Sequence, residues 1–341
     1  MIRKLLGSPL SWPLFWPCVT LALLILLNAS ANPAFLALAW RDGHLYGNLV
    51  DILNRAAPLA LVATGMTLVI AARGLDISVG AVVAIAAATG ALCVSATGSL
   101  GLAVTAALAV ALLCGLWNGV LVVLVGMQPI IATLILMVAG RGIAQLITSG
   151  QIITIYYPPY DYIGNGFLFG LPFAAVLAVA VIVLLHALLT ATPLGLFIRA
   201  IGINPLAARI AGVRARPITI CLYGFCGLMA GLAGLIISSN VKSADANNAG
   251  TLLELDAILA VTLGGTALTG GRFSLAGTAI GALIIQTLTA TIYSLGVPPE
   301  VNLVFKAALI FVVMLLQSAE FRASIRALAT QPADPAGPPA T

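Results

Sequence analysis

Charge is what this chain has least of. Only 7% of its 341 residues are Asp, Glu, Lys or Arg, against about 25% in soluble domains. No charged residue at all occurs between Asp76 and Arg141, a stretch long enough for two membrane crossings and most of a third at about 20 residues each. A water-soluble fold is excluded in practice. With 61% hydrophobic residues and a mean hydropathy of +1.14, the bilayer is the solvent.

The other scarcities remove classes of chemistry. None of the lysines, Lys4, Lys242 and Lys306, follows a glycine, so the chain lacks the P-loop that would cradle ATP phosphates. His44 and His186 are too far apart to suggest a metal site or a catalytic base, and read as a surface and a core histidine. Cys18, Cys93, Cys114, Cys221 and Cys226 lie in apolar runs with no C-x-x-C pair, and read as small buried hydrophobes. No catalytic residue and no metal ligand is expected. The net charge of +5 would suggest nucleic acid in a soluble protein; here the basic residues gather in loops on one side, which encodes membrane orientation instead.

What is present is a series of apolar segments. Arg3 and Lys4 precede a run near 14–27, and the Ala29-Ser30-Ala31 that follows resembles a signal-peptidase site. An uncleaved first span is the favoured reading, because the later spans make this an integral membrane protein. Those spans fall near 56–72, 79–97, 102–125, 128–147, 171–190, 217–239, 256–270, 274–295 and 301–318. The expectation is an all-α integral membrane protein of about ten spans, forming one transmembrane domain over 1–318 with a disordered, proline- and alanine-rich cytoplasmic tail over 319–341.

With the amino end cytoplasmic, that side receives Arg3, Lys4, Arg73, Arg199, Arg209, Arg214, Arg216, Arg272, Arg322 and Arg326. The far side receives Arg41, Arg55 and Lys242, with Asp42, Asp51, Asp161, Asp245, Glu254 and Glu300. Both termini are therefore placed inside, by the positive-inside rule.

A faint repeat relates spans two to five with spans seven to ten, through Pro58 and Pro217 and through 124–138 and 294–312. An offset of five spans inverts one copy against the other, and such pairs enclose a pathway where glycine-broken segments match. Here the matching breaks are RGLDISVG (73–80) and LGGTALTGGRF (263–273). Gly115 and Gly119, Gly227 and Gly231, and Gly277 and Gly281 form small-xxx-small pairs suited to close helix packing. Arg141, Lys306 and the Arg73 and Asp76 pair are ionisable groups at membrane depth. Each also has a structural alternative, which for Asp76 is capping the third helix.

The one long polar interruption is Thr192 to Pro217, with the coupling region at 192–216. Thr192, Pro193 and Gly202 punctuate one short helix; Asn204, Pro205 and Gly212 punctuate a second. On the second, Leu206 and Ile210 share a face with Ala207 and Ala211 beside it, and Arg199, Arg209, Arg214 and Arg216 flank it. A simple connection needs about two to eight residues. Two terminated helices read as a docking element.

RGLDISVGAVVAIAAATGAL (73–92), GLWNGVLVVLVGMQPIIATLILMVAGRGIA (115–144), TPLGLFIRAIGINPLAARIAGV (192–213) and LDAILAVTLGGTALTGGRFSLAGTAIGALI (255–284) resemble the membrane permease of bacterial ribose-type sugar ABC importers. ADANNAG (244–250) and LELDAILAV (253–261) are similar to the galactofuranose-transporting branch. The resemblance implies a permease in the inner membrane that pairs with a second homologous permease. It also implies a cytoplasmic ATPase with fused nucleotide domains, which carries the ATP and Mg, and a periplasmic sugar-binding protein. This chain would bind no cofactor itself. Gly202, Asn204, Ala207, Ala208 and Gly212 match the family's coupling motif, with Leu206, Arg209 and Ile210 completing the helix. Arg73 departs from the glycine usual before the Asp-x-Ser-x-Gly run.

Polar side chains inside spans are candidates for the pathway: Asn118, Thr133, Gln145, Gln286, Thr287 and Thr289. Each could equally make an interhelical hydrogen bond. An ion-coupled secondary sugar carrier and a membrane scaffold or channel stand as alternative functions.

Overall fold

The computed structural model describes residues 14–41 and 43–296, with residues 303–304, 307–308, 311–312 and 315 beyond them. Lys306, most of the expected span 301–318, the tail 319–341 and the charges Arg3, Lys4, Asp42, Glu300, Arg322 and Arg326 lie outside the described residues. Two compact units divide between Thr291 and Ile292, and the fold that follows is that of the first.

Helix α1 (Phe15–Ala31) continues through the Ala-Ser-Ala triplet, and its Asn28 amide donates to Thr291 Oγ at 2.7 Å. A hairpin of β1 (Ala39–Arg41) and β2 (His44–Tyr46) leads into α2 (Asn48–Ala71). Then come α3 (Val79–Thr97) and α4 (Leu100–Val120), the latter running into a π-helical turn at Leu121–Val125, and α5 (Pro129–Ile147).

A long connection holds β3 (Ile153–Thr154), α6 (Pro158–Asn165), β4 (Phe167–Leu168) and β5 (Leu171–Pro172), and feeds α7 (Phe173–Ala191). Two short helices, α8 (Leu194–Ile203) and α9 (Pro205–Ile210), precede α10 (Ala215–Asn240). β6 (Ser243–Ala244) pairs antiparallel with β3, and α11 (Leu253–Leu263) and α12 (Leu275–Ser294) follow.

Among the described residues, 7 helices are long and apolar enough to cross a membrane. The expected first span, whose helix α1 has 17 residues, is not one of them, and neither is the expected span 256–270. Its helix, α11, has 11 residues, about 16 Å of rise against some 30 Å of hydrocarbon. Gly265, Gly270 and Gly271, all at positive φ, turn the chain out of helical geometry after it.

The core is built on α2, α3 and α10. Nearly every residue from Ala56 to Ala71 and from Val79 to Ala88 is buried, and α10 packs against α2, α3 and α4. Without a hydrophobic force between helices in lipid, close approach must come from small residues. A Cβ at Gly115 would meet the Tyr223 carbonyl, one at Gly119 the Ile220 backbone, and one at Gly227 the Ala111 carbonyl. The glycines thus seat α4 directly on α10. Gly281 and Gly277 do the same for α12 against Ala260 and Gly264.

Cysteine departs from expectation. Only Cys226 is buried, while Cys18 and Cys221 are exposed. In a chain solvated by lipid an apolar thiol needs no core.

Candidate coupling surface and polar spans

Helix α9 is terminated at both ends by its own sequence. Asn204 Oδ1 accepts from the amides of Leu206 and Ala207, each at 3.1 Å, and Pro205 opens the first turn where no N–H is needed. At the other end Gly212 sits at φ +85°. The Gly212 amide donates to the Arg209 carbonyl at 3.1 Å and the Val213 amide to the Ala208 carbonyl at 3.0 Å, the paired bonds of a left-handed helix stop. Leu206 is 68% and Ile210 81% exposed, whereas Ala208 is buried beneath them. The knob faces outward and Ala208 is its footing.

Helix α8 ends differently from the sequence expectation. It runs to Ile203, so Gly202 is helical and not its stop. Gly202 is instead a point of contact: a Cβ there would overlap the Ala71 carbonyl and the backbone of Gly271. The Gly271 amide donates to the Ala71 carbonyl at 2.9 Å. Arg73 reaches the Ile203 carbonyl at 2.7 Å. The two glycine-broken segments therefore meet each other directly under α8.

The turn after α2 is anchored from the inside. Asp76 Oδ1 accepts from the amide of Ser78 (3.0 Å), the Ser78 hydroxyl (2.6 Å) and the Asn118 amide (3.3 Å). Asn118 also donates to Ser78 Oγ at 2.8 Å. Thr133 Oγ accepts from the Ile77 amide at 3.3 Å. Asp76, Ser78, Asn118 and Thr133 are all buried, so these polar groups tie the turn to α4 and α5.

A second polar group lies on α5 near its far end. Arg141 donates to the carbonyls of Ala249 (2.6 Å) and Ala246 (3.4 Å). Gln145 donates to Asn247 Oδ1 at 2.6 Å. The 244–250 run is thereby laid against α5, and β6 beside β3 holds its start. Glu254, expected in an outer loop, is buried with its carboxylate against Gly80. The six polar candidates thus fall in three places: Asn118 and Thr133 under the first turn, Gln145 against Asn247, and Gln286, Thr287 and Thr289 along α12.

Asn247 and Gly271 escaped the sequence reading as partners of these sites. The glycine clusters and the Asn-Asn pair were visible, but neither reveals what it touches. Among the described residues no group of three or more His, Cys, Asp or Glu could hold a metal ion.

Long apolar helices, core helices joined by small residues, and a capped polar wedge between α7 and α10 define the class: a multi-pass, all-α membrane protein. The chain belongs to the family described as "Branched-chain amino acid transport system / permease component", whose model matches residues 48–314, and is accordingly a transport permease subunit and not an enzyme.

It is similar to the galactofuranose transporter permease protein YtfT of Escherichia coli K12, 49% identical over 316 residues, covering 92% of this chain and 93% of that protein. The fructose import permease protein FruF of Bifidobacterium longum is 40% identical over 323 residues, 93% of this chain and 90% of that one. The ribose import permease protein RbsC of Bacillus subtilis is 37% identical over 302 residues, 88% and 91% of the two chains. No solved structure matches significantly. The family description speaks of amino acids and these relatives of sugars, so family membership alone does not name the cargo.

Proposed function

We propose that this chain is the pathway-forming permease of an ATP-driven sugar importer, with galactofuranose as the favoured cargo. The cargo reading rests on the 49% identity to a galactofuranose permease and on the 244–250 run, whose Asn247 meets Gln145. The mode of action rests on one observation: the exposed Leu206 and Ile210 knob stands on α8, which itself sits on both glycine-broken turns.

Force delivered to α9 passes through Asn204 into α8. From there Gly202 and Arg73 carry it to the turn before α3 and the segment before α12. Moving these two segments together rocks the halves of the molecule, which are the inverted repeats of the proposal, and opens a central cavity alternately outward and inward. Gly202, Asn204, Ala207, Ala208 and Gly212 shape this wedge. Leu206, Arg209 and Ile210 present it to a cytoplasmic ATPase with fused nucleotide domains, on which ATP and Mg reside. A periplasmic binding protein supplies the sugar, and a second, homologous permease completes the pathway. The chain sits in the inner membrane with both termini cytoplasmic.

Sugar hydroxyls need partners that bind weakly enough to release. Neutral amides and hydroxyls such as Gln145, Gln286, Thr287 and Thr289 suit this, and Asn118 and Thr133 hold the first turn behind them. The test is uptake of labelled galactofuranose into vesicles reconstituted with and without the ATPase and the binding protein. Uptake that needs ATP and both partners is expected. Uptake that follows an ion gradient with neither partner present would overturn the proposal in favour of a secondary carrier.

A further inference from the structure

A cavity of about 480 Å³ opens between the end of α7, the start of α8 and the segment before α12. His186, Thr190, Thr192, Arg199, Phe273 and Ser274 line it, and no carboxylate does. The Arg199 guanidinium lies 5.2 Å from the centre of the Phe273 ring, and among the described residues no acid pairs with it. Helix α8 begins here, its Leu194 amide donating to Thr192 Oγ at 3.4 Å, and the other amides of its first turn add the partial positive charge of a helix start to that of Arg199.

A second observation separates this cavity from a general anion site. Val179 and Val183 precede His186 and Thr190 by 7 residues each, two helical turns, and so share their face of α7. Both are open, 59% and 60% exposed. An apolar track thus leads from His186 in the polar cavity along α7 for about 10 Å, a third of the hydrocarbon thickness. A polar, acid-free cup at a helix end with an apolar track running toward the bilayer centre matches one ligand in shape and charge.

We propose that this cavity binds the phosphate of an anionic phospholipid, with an acyl chain lying along Val183 and Val179. Basic pockets between membrane helices hold acidic headgroups in this way. Arg199 supplies the charge, while His186 and Ser274 supply further donors. Phe273 holds the guanidinium over the cup by its ring face. Since the same segment leads into α12, a bound lipid would brace the joint on which α8 stands.

The test is native mass spectrometry of the whole purified importer titrated with phosphatidylglycerol and with phosphatidylcholine. The wild-type assembly is expected to retain phosphatidylglycerol about five-fold more strongly, the effect of one basic contact near the membrane surface. Arg199→Gln removes that preference and Arg199→Lys keeps it. Arg216→Gln, which changes a charge on the same side outside the cavity, leaves it in place. Should Arg199→Gln fail to assemble, Phe273→Leu, which releases the guanidinium from over the cup, reports the same loss.

Equal retention of the two lipids by the wild-type assembly, or a preference that survives both cavity variants, overturns the proposal. So does complete displacement of phosphatidylglycerol by inorganic phosphate, because the apolar track would then contribute nothing. None of these readouts depends on which sugar is carried.

Discussion

Arg73 occupies a left-handed position, φ 65°, that glycine would enter freely and any other residue enters at a cost of about 1–2 kcal/mol. A glycine is dispensable there because the side chain returns something: a charged hydrogen bond to the Ile203 carbonyl, worth about 1 kcal/mol at so exposed a site. The two terms nearly cancel. Arg73→Gly is therefore expected to stay within about 1 kcal/mol of the parent, whereas Arg73→Ala keeps the strain, loses the bond and is the less stable of the pair. Thermal unfolding midpoints of the purified variants check this order. An Ala variant as stable as the parent would contradict it.

Two carboxylates in the connections report pH at the same scale. Asp245 is held below the ordinary carboxylate range, first by the Asn248 amide, with slight burial opposing. At Asp161 slight burial opposes, and the Asn165 amide and the Lys242 ammonium 3.0 Å away outweigh it. A lowered folded value gives stability above the unfolded pKa of about 3.9 and loses it as pH falls through the folded value. Hydrogen-exchange protection across 243–251, taken relative to the intrinsic amide rate at each pH, should be flat between neutral pH and about pH 5 and fall only in stronger acid. A loss of protection already near neutral pH would point to another group.

At the scale of elements, helices were legible where periodic caps or long apolar runs announced them. Asn204, Pro205 and Gly212 located α9 at both ends because capping is local chemistry, decided within four or five residues. The failure at 256–270 has the opposite cause. Hydropathy counts side chains, and the glycines of LGGTALTGG count as apolar while their backbones leave the helix and press on Gly277, Arg73 and Ile203. Glu254 misled for a related reason: a charge near a span end reads as a loop residue until a partner such as Gly80 appears across the fold.

Helix contacts make two element-level tests. Gly115→Leu drives a side chain into the Tyr223 carbonyl and should cost about 1–3 kcal/mol or more, separating α4 from α10; detergent-solubilised yield and unfolding midpoint read it. Leu206→Asp with Ile210→Asp alters only exposed side chains. That variant should fold and assemble normally yet lose sugar uptake while the ATPase continues to turn over. Ala208 asks a different question, since a bulky charge there lifts α9 off its footing and should lower stability as well as uptake.

For the whole molecule, class was the most legible feature because it depends on a total: apolar content sets the solvent. The meeting of the turn after α2 with the segment before α12 was not legible. Their glycines said that something approaches, but only the folded chain brings Ala71, Gly202 and Gly271 together, from positions about 130 and 200 residues apart along the chain. Cargo is the least legible, because neutral sugars require no charge pattern and a few amides serve many of them.

The central claim is that work done elsewhere enters through α9. Cysteine placed at Leu206 or Ile210 in the assembled importer, followed by short-range crosslinking in membranes, tests it most directly. The expected product is a covalent pair with the ATPase chain whose yield changes when ATP is added. Crosslinks to the sugar-binding protein, or labelling of these positions from the periplasm with no ATPase product, would contradict it.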